Sequence, residues 1–179
     1  NSLNFNKTLN KREQMFIEKL AFEYSVKVKN RHKVDIINDL LDHIDVIPNS
    51  IVLAQAANES GWGSSRFARD FNALFGQYTY DSNNGVKPFA RDEGAKHLIK
   101  FFPTINQSIE SYFNNINTNI AYYDFRKARK HLREKDLFLD PKLLIKTLDN
   151  YAEDKYYVNT IISIIKVNNL SQYDNLKTI

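Results

Sequence analysis

The sequence contains no cysteine, only five glycines and four prolines, and a single tryptophan among its 179 residues. The absence of cysteine excludes disulfide scaffolds, cysteine nucleophiles and thiolate metal sites. No apolar stretch approaches the roughly 18 residues that a membrane-spanning helix needs, so we expect no membrane span in this chain. The four histidines are scattered and form no His-Glu-x-x-His motif. The sequence therefore predicts neither a metal site nor an organic cofactor.

The chain also lacks a strong excess of charge of either sign. Lys and Arg number 25 against 21 Asp and Glu, which gives a formal net charge of +4. Basic residues cluster between positions 126 and 133, where a solvated helix face explains them better than nucleic-acid binding does. We therefore expect no nucleic-acid partner. A hydrophobic content of 42% is enough for a core of domain size, so wholesale disorder is excluded. We also expect a monomer.

Apolar residues at three- and four-residue spacing predict helices over most of the chain. The predicted helices cover residues 9–29, 34–44, 51–58, 65–70, 141–150 and 154–167, and one more begins at residue 108. The pattern changes between residues 76 and 102, where turn sequences at 83–85 and 92–94 predict a small hairpin of residues 86–91 and 97–102. The fold class is thus α+β and mainly helical. We predict an N-terminal helical segment, residues 1–46, packed on a domain of residues 47–179.

Glu59 is the residue for which the sequence predicts chemistry. On a helix it shares a face with Val52, Gln55 and Ala56, so its carboxyl group would be partly desolvated. Desolvation raises the pKa of a carboxyl group, which suits a general acid that protonates a leaving oxygen near neutral pH. A Gly-Trp-Gly turn follows, in which Trp62 would place a flat apolar wall beside the acid. The alternative is an ordinary solvent-facing glutamate at a helix end.

Short motifs around and after Glu59 point to one family. Residues 54–67 are centred on Glu-Ser-Gly-Trp-Gly-Ser-Ser-Arg-Phe, and Asn72-Ala73-Leu74-Phe75-Gly76 follows. Further segments lie at 76–78, 91–94, 111–112 and 115–118, and the last motif is Tyr151-Ala-Glu-Asp-x-x-Tyr. In this order the motifs resemble the glucosaminidase family of bacterial cell-wall hydrolases, glycoside hydrolase family 73, and its Bax-like branch most of all. The resemblance covers residues 47–165, about two-thirds of the chain.

The resemblance implies a lysozyme-like fold in which a helical lobe and a small β-hairpin lobe flank a glycan-binding cleft. By the match of motifs, Glu59 takes the position of the catalytic general acid. Tyr151 takes that of a tyrosine that lines the cleft near the acid and helps to position the sugar; the alternative for Tyr151 is a core aromatic on a loop. The substrate-binding residues that we expect are Trp62, Asn72, Phe75, Gln77, Tyr78 and Asp92.

The second catalytic carboxylate is expected on the β lobe, although the chain lacks the Glu-x-x-Asn-Gly spelling that is frequent in the family. Glu93 is the first candidate, Asp92 the second and Asp81 the third, and the alternative is a hairpin turn that carries solvated acids. Lobe closure or the substrate's own acetamido group would relax the need for a fixed base. Since the separation of the two carboxylates determines inversion or retention, the stereochemical outcome stays open.

The function that the resemblance implies is hydrolysis of peptidoglycan glycan strands by general acid catalysis. The enzyme would be an endo-β-N-acetylglucosaminidase that cleaves the β-1,4 bond between N-acetylglucosamine and N-acetylmuramic acid. The alternatives are a muramidase or lytic transglycosylase on the same fold, or a catalytically inactive glycan-binding module. Because peptidoglycan lies outside the cytoplasm, and because the chain begins with Asn rather than Met, we expect a periplasmic or extracellular cell-envelope enzyme whose export segment has been removed.

Overall fold

The computed structural model describes residues 9–88, 94, 96–152 and 154–174, which form eight α-helices and one three-stranded sheet. The helices are α1 (Lys11–Glu23), α2 (Lys33–His43), α3 (Asn49–Ser60), α4 (Arg66–Phe71), α5 (Ile105–Thr118), α6 (Tyr123–Glu134), α7 (Pro141–Ile145) and α8 (Tyr157–Val167). The strands are β1 (Tyr78–Thr79), β2 (Gly85–Val86) and β3 (Leu98–Lys100). Short 3-10 helices lie at Ile120–Tyr122, Asp149–Tyr151 and Leu170–Tyr173. None of the helices in these ranges is long and apolar enough to cross a membrane.

The predicted helices are present, and they differ from the prediction at their ends. Helix α1 ends at Glu23 instead of residue 29 because Ser25 takes a left-handed conformation, with φ of 58°. The amide of Val26 then donates to the carbonyl of Ala21, which closes the helix as a Schellman-type cap. Helix α7 ends at Ile145, and the rest of the segment predicted as helix, up to residue 150, leads into the 3-10 helix Asp149–Tyr151.

The sheet contains one strand more than the predicted hairpin. Its order is β1-β3-β2 with antiparallel pairs, so that β3 lies in the centre. The pairing of Val86 with Ile99 agrees with the predicted hairpin, whereas residues 89–91 lie outside the described residues. Gly85 permits the close approach of the strands, because a Cβ atom there would stand 2.6 Å from Leu98 Cβ and 2.7 Å from Thr79 Cγ2.

The main core lies in the helical part and surrounds α3, which buries one side chain in almost every turn. Helices α5, α6, α7 and α8 supply most of the other buried side chains. Fully buried apolar residues include Ile51, Ile116, Phe125, Leu144 and Ile161. A smaller core between α1 and α2 consists of Ala21, Val26, Ile36 and Leu40. The buried face of α3 thus fixes in the main core the helix that carries Glu59.

Helix α6 connects the end of α2 to the main core through a buried arginine. Arg129 is 1% exposed and donates to the backbone carbonyls of residues 42, 43, 45 and 46 and to Oδ1 of Asn117. Desolvation lowers the pKa of its guanidinium group to about 10. Arg126 is buried as well. The expectation of a solvated basic face was thus wrong for these two residues, because their guanidinium groups satisfy carbonyls that helix packing removes from water.

Candidate active site

Helix α3 carries Glu59 next to its last residue, and a tight turn follows. Gly61, Trp62 and Gly63 have φ of 57°, 58° and 75°, so that three residues in succession are left-handed. Glycine tolerates this region without strain, while tryptophan does so at a cost. Two hydrogen bonds hold the turn: the amide of Trp62 donates to the carbonyl of Ala57 at 2.7 Å, and the amide of Gly63 donates to Ser60 Oγ at 2.8 Å. The predicted Gly-Trp-Gly turn is confirmed.

A cleft with a volume of about 790 Å³ opens beside Glu59. Its walls come from the end of α3, from the segment that leads into β1, from the end of α5 and from the loop around residue 150. The lining residues are Glu59, Phe75, Gly76, Gln77, Tyr78, Asn115, Asn119, Tyr122, Asp149, Tyr151 and Ala152. The cleft thus lies between the helical part of the molecule and the approach to the sheet, which is where the resemblance predicts a glycan-binding cleft.

The Glu59 carboxyl group is partly buried in the wall of this cleft. Burial raises its pKa, and hydrogen bonds from Asn58 and Tyr157 oppose this effect. Asn58 Nδ2 donates to Glu59 Oε1 at 3.2 Å. A Cβ atom on Gly76 would lie 3.6 Å from Glu59 Oε2, so the backbone of the Asn-x-Leu-Phe-Gly motif passes directly beside the carboxyl group. No cation of the described ranges forms an ion pair with Glu59. The environment therefore favours the protonated form that a general acid needs.

A buried chain of hydrogen bonds supports Glu59 from the interior. Gln55, one helical turn before Glu59, is 0% exposed. Its Oε1 accepts a hydrogen bond from the hydroxyl of Tyr112, and its Nε2 donates to the hydroxyl of Tyr157 at 2.6 Å. The Tyr157 hydroxyl also interacts with Glu59 and lowers the pKa of its carboxyl group. Because each hydroxyl and amide has a defined partner, the chain fixes the direction in which the Tyr157 hydroxyl points.

Tyr151 joins the two sides of the cleft. Its hydroxyl donates to the carbonyl of Phe75 at 3.3 Å, and its ring stacks on Tyr157 with 5.5 Å between centroids. Phe75 in turn stacks on Tyr112 at 4.1 Å. Burial raises the pKa of the Tyr151 hydroxyl well above its ordinary value, which keeps this hydroxyl a donor. The tyrosine thus closes the aromatic wall around Glu59.

Five of the predicted site residues meet in this cleft, and the others lie elsewhere. Glu59, Phe75, Gln77, Tyr78 and Tyr151 line it together. Trp62 and Asn72 are not among its lining residues: Trp62 is 64% exposed on its turn, and Asn72 ends α4 and donates from Nδ2 to the carbonyl of Phe102 at 2.9 Å. Asp81 is exposed in the turn between β1 and β2. Glu93 and Asp92 lie outside the described residues.

Four further side chains that line the cleft were not predicted as site residues: Asn115, which lies in the motif at 115–118, Asn119, Tyr122 and Asp149. Asn115 and Asn119 stand one turn apart at the end of α5, and this spacing was a signal for a shared polar face. Asp149 precedes Tyr151 by two residues, and it is the second carboxylate among the described residues that line the cleft. Within the described part of the chain, no group of three acidic or histidine side chains has the arrangement of a metal site.

A partly buried acid in a cleft between helices and a small antiparallel sheet defines a lysozyme-like glycosidase. The family model described as mannosyl-glycoprotein endo-beta-N-acetylglucosaminidase, the Glucosaminidase family, matches residues 34–170. The chain therefore belongs to this family of glycoside hydrolases. The predicted family and enzyme class are confirmed.

Individual relatives agree with the family assignment. Protein bax from Escherichia coli (strain K12) is 32% identical over 157 residues, which cover 87% of this chain and 56% of the relative. The catalytic domain of the autolysin Auto from Listeria monocytogenes has a TM-score of 0.54 and 20% identity over 95% of this chain and 92% of that domain. N-acetylmuramoyl-L-alanine amidase from Staphylococcus aureus has a TM-score of 0.58 and 22% identity, and the match covers 99% of this chain and 48% of the amidase chain. The mainly helical, lysozyme-like fold is confirmed.

Proposed function

We propose that this protein is an endo-β-N-acetylglucosaminidase that hydrolyses the β-1,4 bond between N-acetylglucosamine and N-acetylmuramic acid in peptidoglycan. The observation that carries the proposal is the Glu59 carboxyl group, whose pKa burial raises in the wall of an open cleft. Membership of the glucosaminidase family supplies the reaction class. The similarity to an autolysin catalytic domain supports peptidoglycan as the substrate.

In the proposed mechanism Glu59 donates its proton to the glycosidic oxygen as the bond to the anomeric carbon breaks. The resulting carboxylate needs donors, and Asn58 and Tyr157 provide them. Burial therefore keeps the proton on Glu59 before the reaction, and the two hydrogen bonds stabilise the anion after it. A pKa balanced between these effects allows the same group to release a proton and take it back in each cycle.

The second carboxylate is proposed from three positions. Glu93 and Asp92 remain candidates from the sequence, whereas Asp81, the third candidate, is set aside because it does not line the cleft. Asp149 joins them because it lines the cleft together with Glu59 and is exposed to the solvent from which the attacking water comes. The variants Glu93→Gln, Asp92→Asn and Asp149→Asn distinguish the three candidates. The variant that lacks the catalytic base or nucleophile should lose about 100-fold or more in kcat. The anomeric configuration of the product, followed by NMR, then distinguishes inversion from retention.

The remaining predicted contacts concern substrate binding. Tyr78 is 64% exposed and stacks on His97 at 4.2 Å, so it presents a flat face to the cleft on which a pyranose ring can pack. Phe75, Gln77 and Tyr151 complete the inner wall. Trp62 and Asn72 stand outside the lining of the cleft, and contact with sugars farther along the strand is proposed for them. The glycan strand is the proposed partner of a monomer that acts in the periplasm or at the cell surface.

The Glu59→Gln variant tests the role of the acid. Glutamine keeps the shape but cannot donate the proton, so hydrolysis of sacculi should fall at least about 100-fold while binding is retained. Glu134→Gln, at the exposed end of α6, is the matched control and should keep full activity. Equal activity of Glu59→Gln and wild type would contradict the mechanism, and an inert wild type that still binds strands would favour a glycan-binding module.

A further inference from the structure

A second groove continues from the Glu59 cleft along α5. It has a volume of about 440 Å³ and shares Gln77, Tyr78, Asn115 and Asn119 with the cleft. Beyond these residues its walls are formed by Ser25, Lys100, Ser111, Asn114 and Thr118. The lining is polar throughout and carries one formal charge, the ammonium group of Lys100. A substrate that extends from the cleft into this groove therefore meets hydroxyl groups, carboxamide groups and one cation.

Lys100 is held in a fixed position at the base of this groove. Its Nζ donates to Ser111 Oγ at 3.0 Å and lies 5.1 Å from the centre of the Phe102 ring. Its backbone amide donates to the carbonyl of Gln77 at 2.8 Å, and Gln77 Nε2 donates to the carbonyl of Ser111 at 3.2 Å. The ammonium group is thus placed by α5 and by the sheet at once. A lysine ammonium has three donors, and Ser111 uses one of them.

Lys100 forms no ion pair with an acidic side chain in the described part of the chain. Glu23 and Glu110 line the neighbouring outer depression, in which Lys100 also takes part. The groove therefore offers an ammonium group without a carboxylate partner among the described residues, and such a group matches a ligand that carries a carboxylate.

We propose that this groove binds the stem peptide that substitutes N-acetylmuramic acid, and that Lys100 pairs with one of its carboxylates. The inference rests on the proposed function, because the groove begins where the glycan cleft ends. A stem peptide carries free carboxylates and amide N–H groups, whereas an unsubstituted N-acetylglucosamine chain carries no carboxylate. Lys100 thereby distinguishes peptide-bearing strands from bare ones. Ser25, between α1 and α2, brings the N-terminal segment into this specificity site.

Calorimetric binding to Glu59→Gln protein tests the inference without turnover. Three tetrasaccharides serve as probes: one bears stem peptides, a second has lost them to an amidase and keeps only the lactyl carboxylates, and the third is N-acetylglucosamine tetramer. Adding Lys100→Met should weaken binding of the peptide-bearing probe about tenfold, the size expected when a charge-assisted hydrogen bond is lost. Binding of the other two probes should change less than about twofold.

Two further variants serve as controls for charge and fold. Lys100→Arg keeps the cation and should restore binding of the peptide-bearing probe to within about threefold. Lys166→Met, on the exposed side of α8, should change nothing. If Lys100→Met weakened binding of the amidase-treated probe as much as that of the peptide-bearing probe, Lys100 would bind the lactyl carboxylate; if it weakened binding of all three probes equally, Lys100 would belong to the wall of the cleft. Each of these results would overturn the inference, and so would unchanged binding or a peptide-bearing probe that does not bind at all. Hydrolysis of sacculi by wild type tests the proposed function separately.

Discussion

At the scale of single residues, the protonation of Glu59 results from opposed local effects. Burial favours the neutral acid, and the donors Asn58 and Tyr157 favour the carboxylate. The Tyr157 hydroxyl oxygen accepts a hydrogen bond from Gln55 Nε2, so its own proton can point toward Glu59. Gln55 is itself oriented by the Tyr112 hydroxyl, which donates to its Oε1. A residue that substrate never touches can therefore change the pH range in which the acid works.

Tyr157→Phe should shift the pH dependence of hydrolysis upward. Loss of the hydroxyl removes a hydrogen bond that stabilises the Glu59 carboxylate, so the pKa of Glu59 and the alkaline limb of the kcat profile should both move to higher pH. The substitution also leaves Gln55 Nε2 without its partner, which should cost roughly 1–3 kcal/mol of unfolding free energy. Tyr156→Phe, which alters an exposed neighbour, is the control. An alkaline limb that stays in place or moves to lower pH would contradict the hydrogen-bond chain.

Glu59→Gln should stabilise the protein at neutral pH and much less in acid. Burial raises the pKa of Glu59 in the folded state above its value in the unfolded state. The stability associated with the bound proton is therefore present below the unfolded pKa and is lost as pH rises through the folded pKa. Glutamine does not ionise, so the Glu59→Gln protein does not lose this stability as the pH rises. Thermal unfolding should show a higher Tm than wild type at pH 7 and a difference that shrinks toward pH 4, whereas a gain that is independent of pH would contradict the assignment.

At the scale of helices and strands, periodicity predicted the helices because each buries an apolar face. The end of α1 escaped prediction because the left-handed Ser25, and not the apolar pattern, determines where the helix stops. Strand β1 has two residues, too few to show alternation. Arg126 and Arg129 looked solvated because charge patterns do not reveal which carbonyls packing will bury. Asp149 was missed for a related reason, since a single acid in a loop has no periodic signature.

Arg129 connects α6 to the end of α2 through its hydrogen bonds, and its replacement tests how much this contact stabilises the protein. Arg129→Lys keeps the charge but loses the planar fork that reaches four backbone carbonyls and Asn117. We expect the free energy of unfolding to fall by about 3 kcal/mol in denaturant titrations, since buried acceptors lose their donors. Arg133→Lys alters a half-exposed pair with Asp45 and should cost less than about 1 kcal/mol. Similar losses for both variants would contradict this role of Arg129.

At the scale of the whole molecule, a helical framework and a small sheet meet at the end of α3. The motifs of the sequence fall on this junction: Glu59 on the helix, Phe75 and Gln77 on the approach to the sheet, and Tyr151 on the loop across the cleft. The N-terminal segment forms its own small core. It also reaches α5, where Asn114 Nδ2 donates to the carbonyl of Glu23 at 3.2 Å. The family match begins inside this segment, at residue 34. The division into a segment of residues 1–46 that packs on a domain of residues 47–179 stays a prediction.

We propose that this cleft cuts peptidoglycan on the reducing side of N-acetylglucosamine with Glu59 as the acid. This cleavage site can be identified by mass spectrometry of sacculi that wild type has digested, after borohydride reduction of the products. We expect new reducing ends that are N-acetylglucosamine, and we expect them to be absent from digests with Glu59→Gln. Reducing-end N-acetylmuramic acid would instead show a muramidase, and 1,6-anhydro-muramic ends would show a lytic transglycosylase; either product would rule out a glucosaminidase.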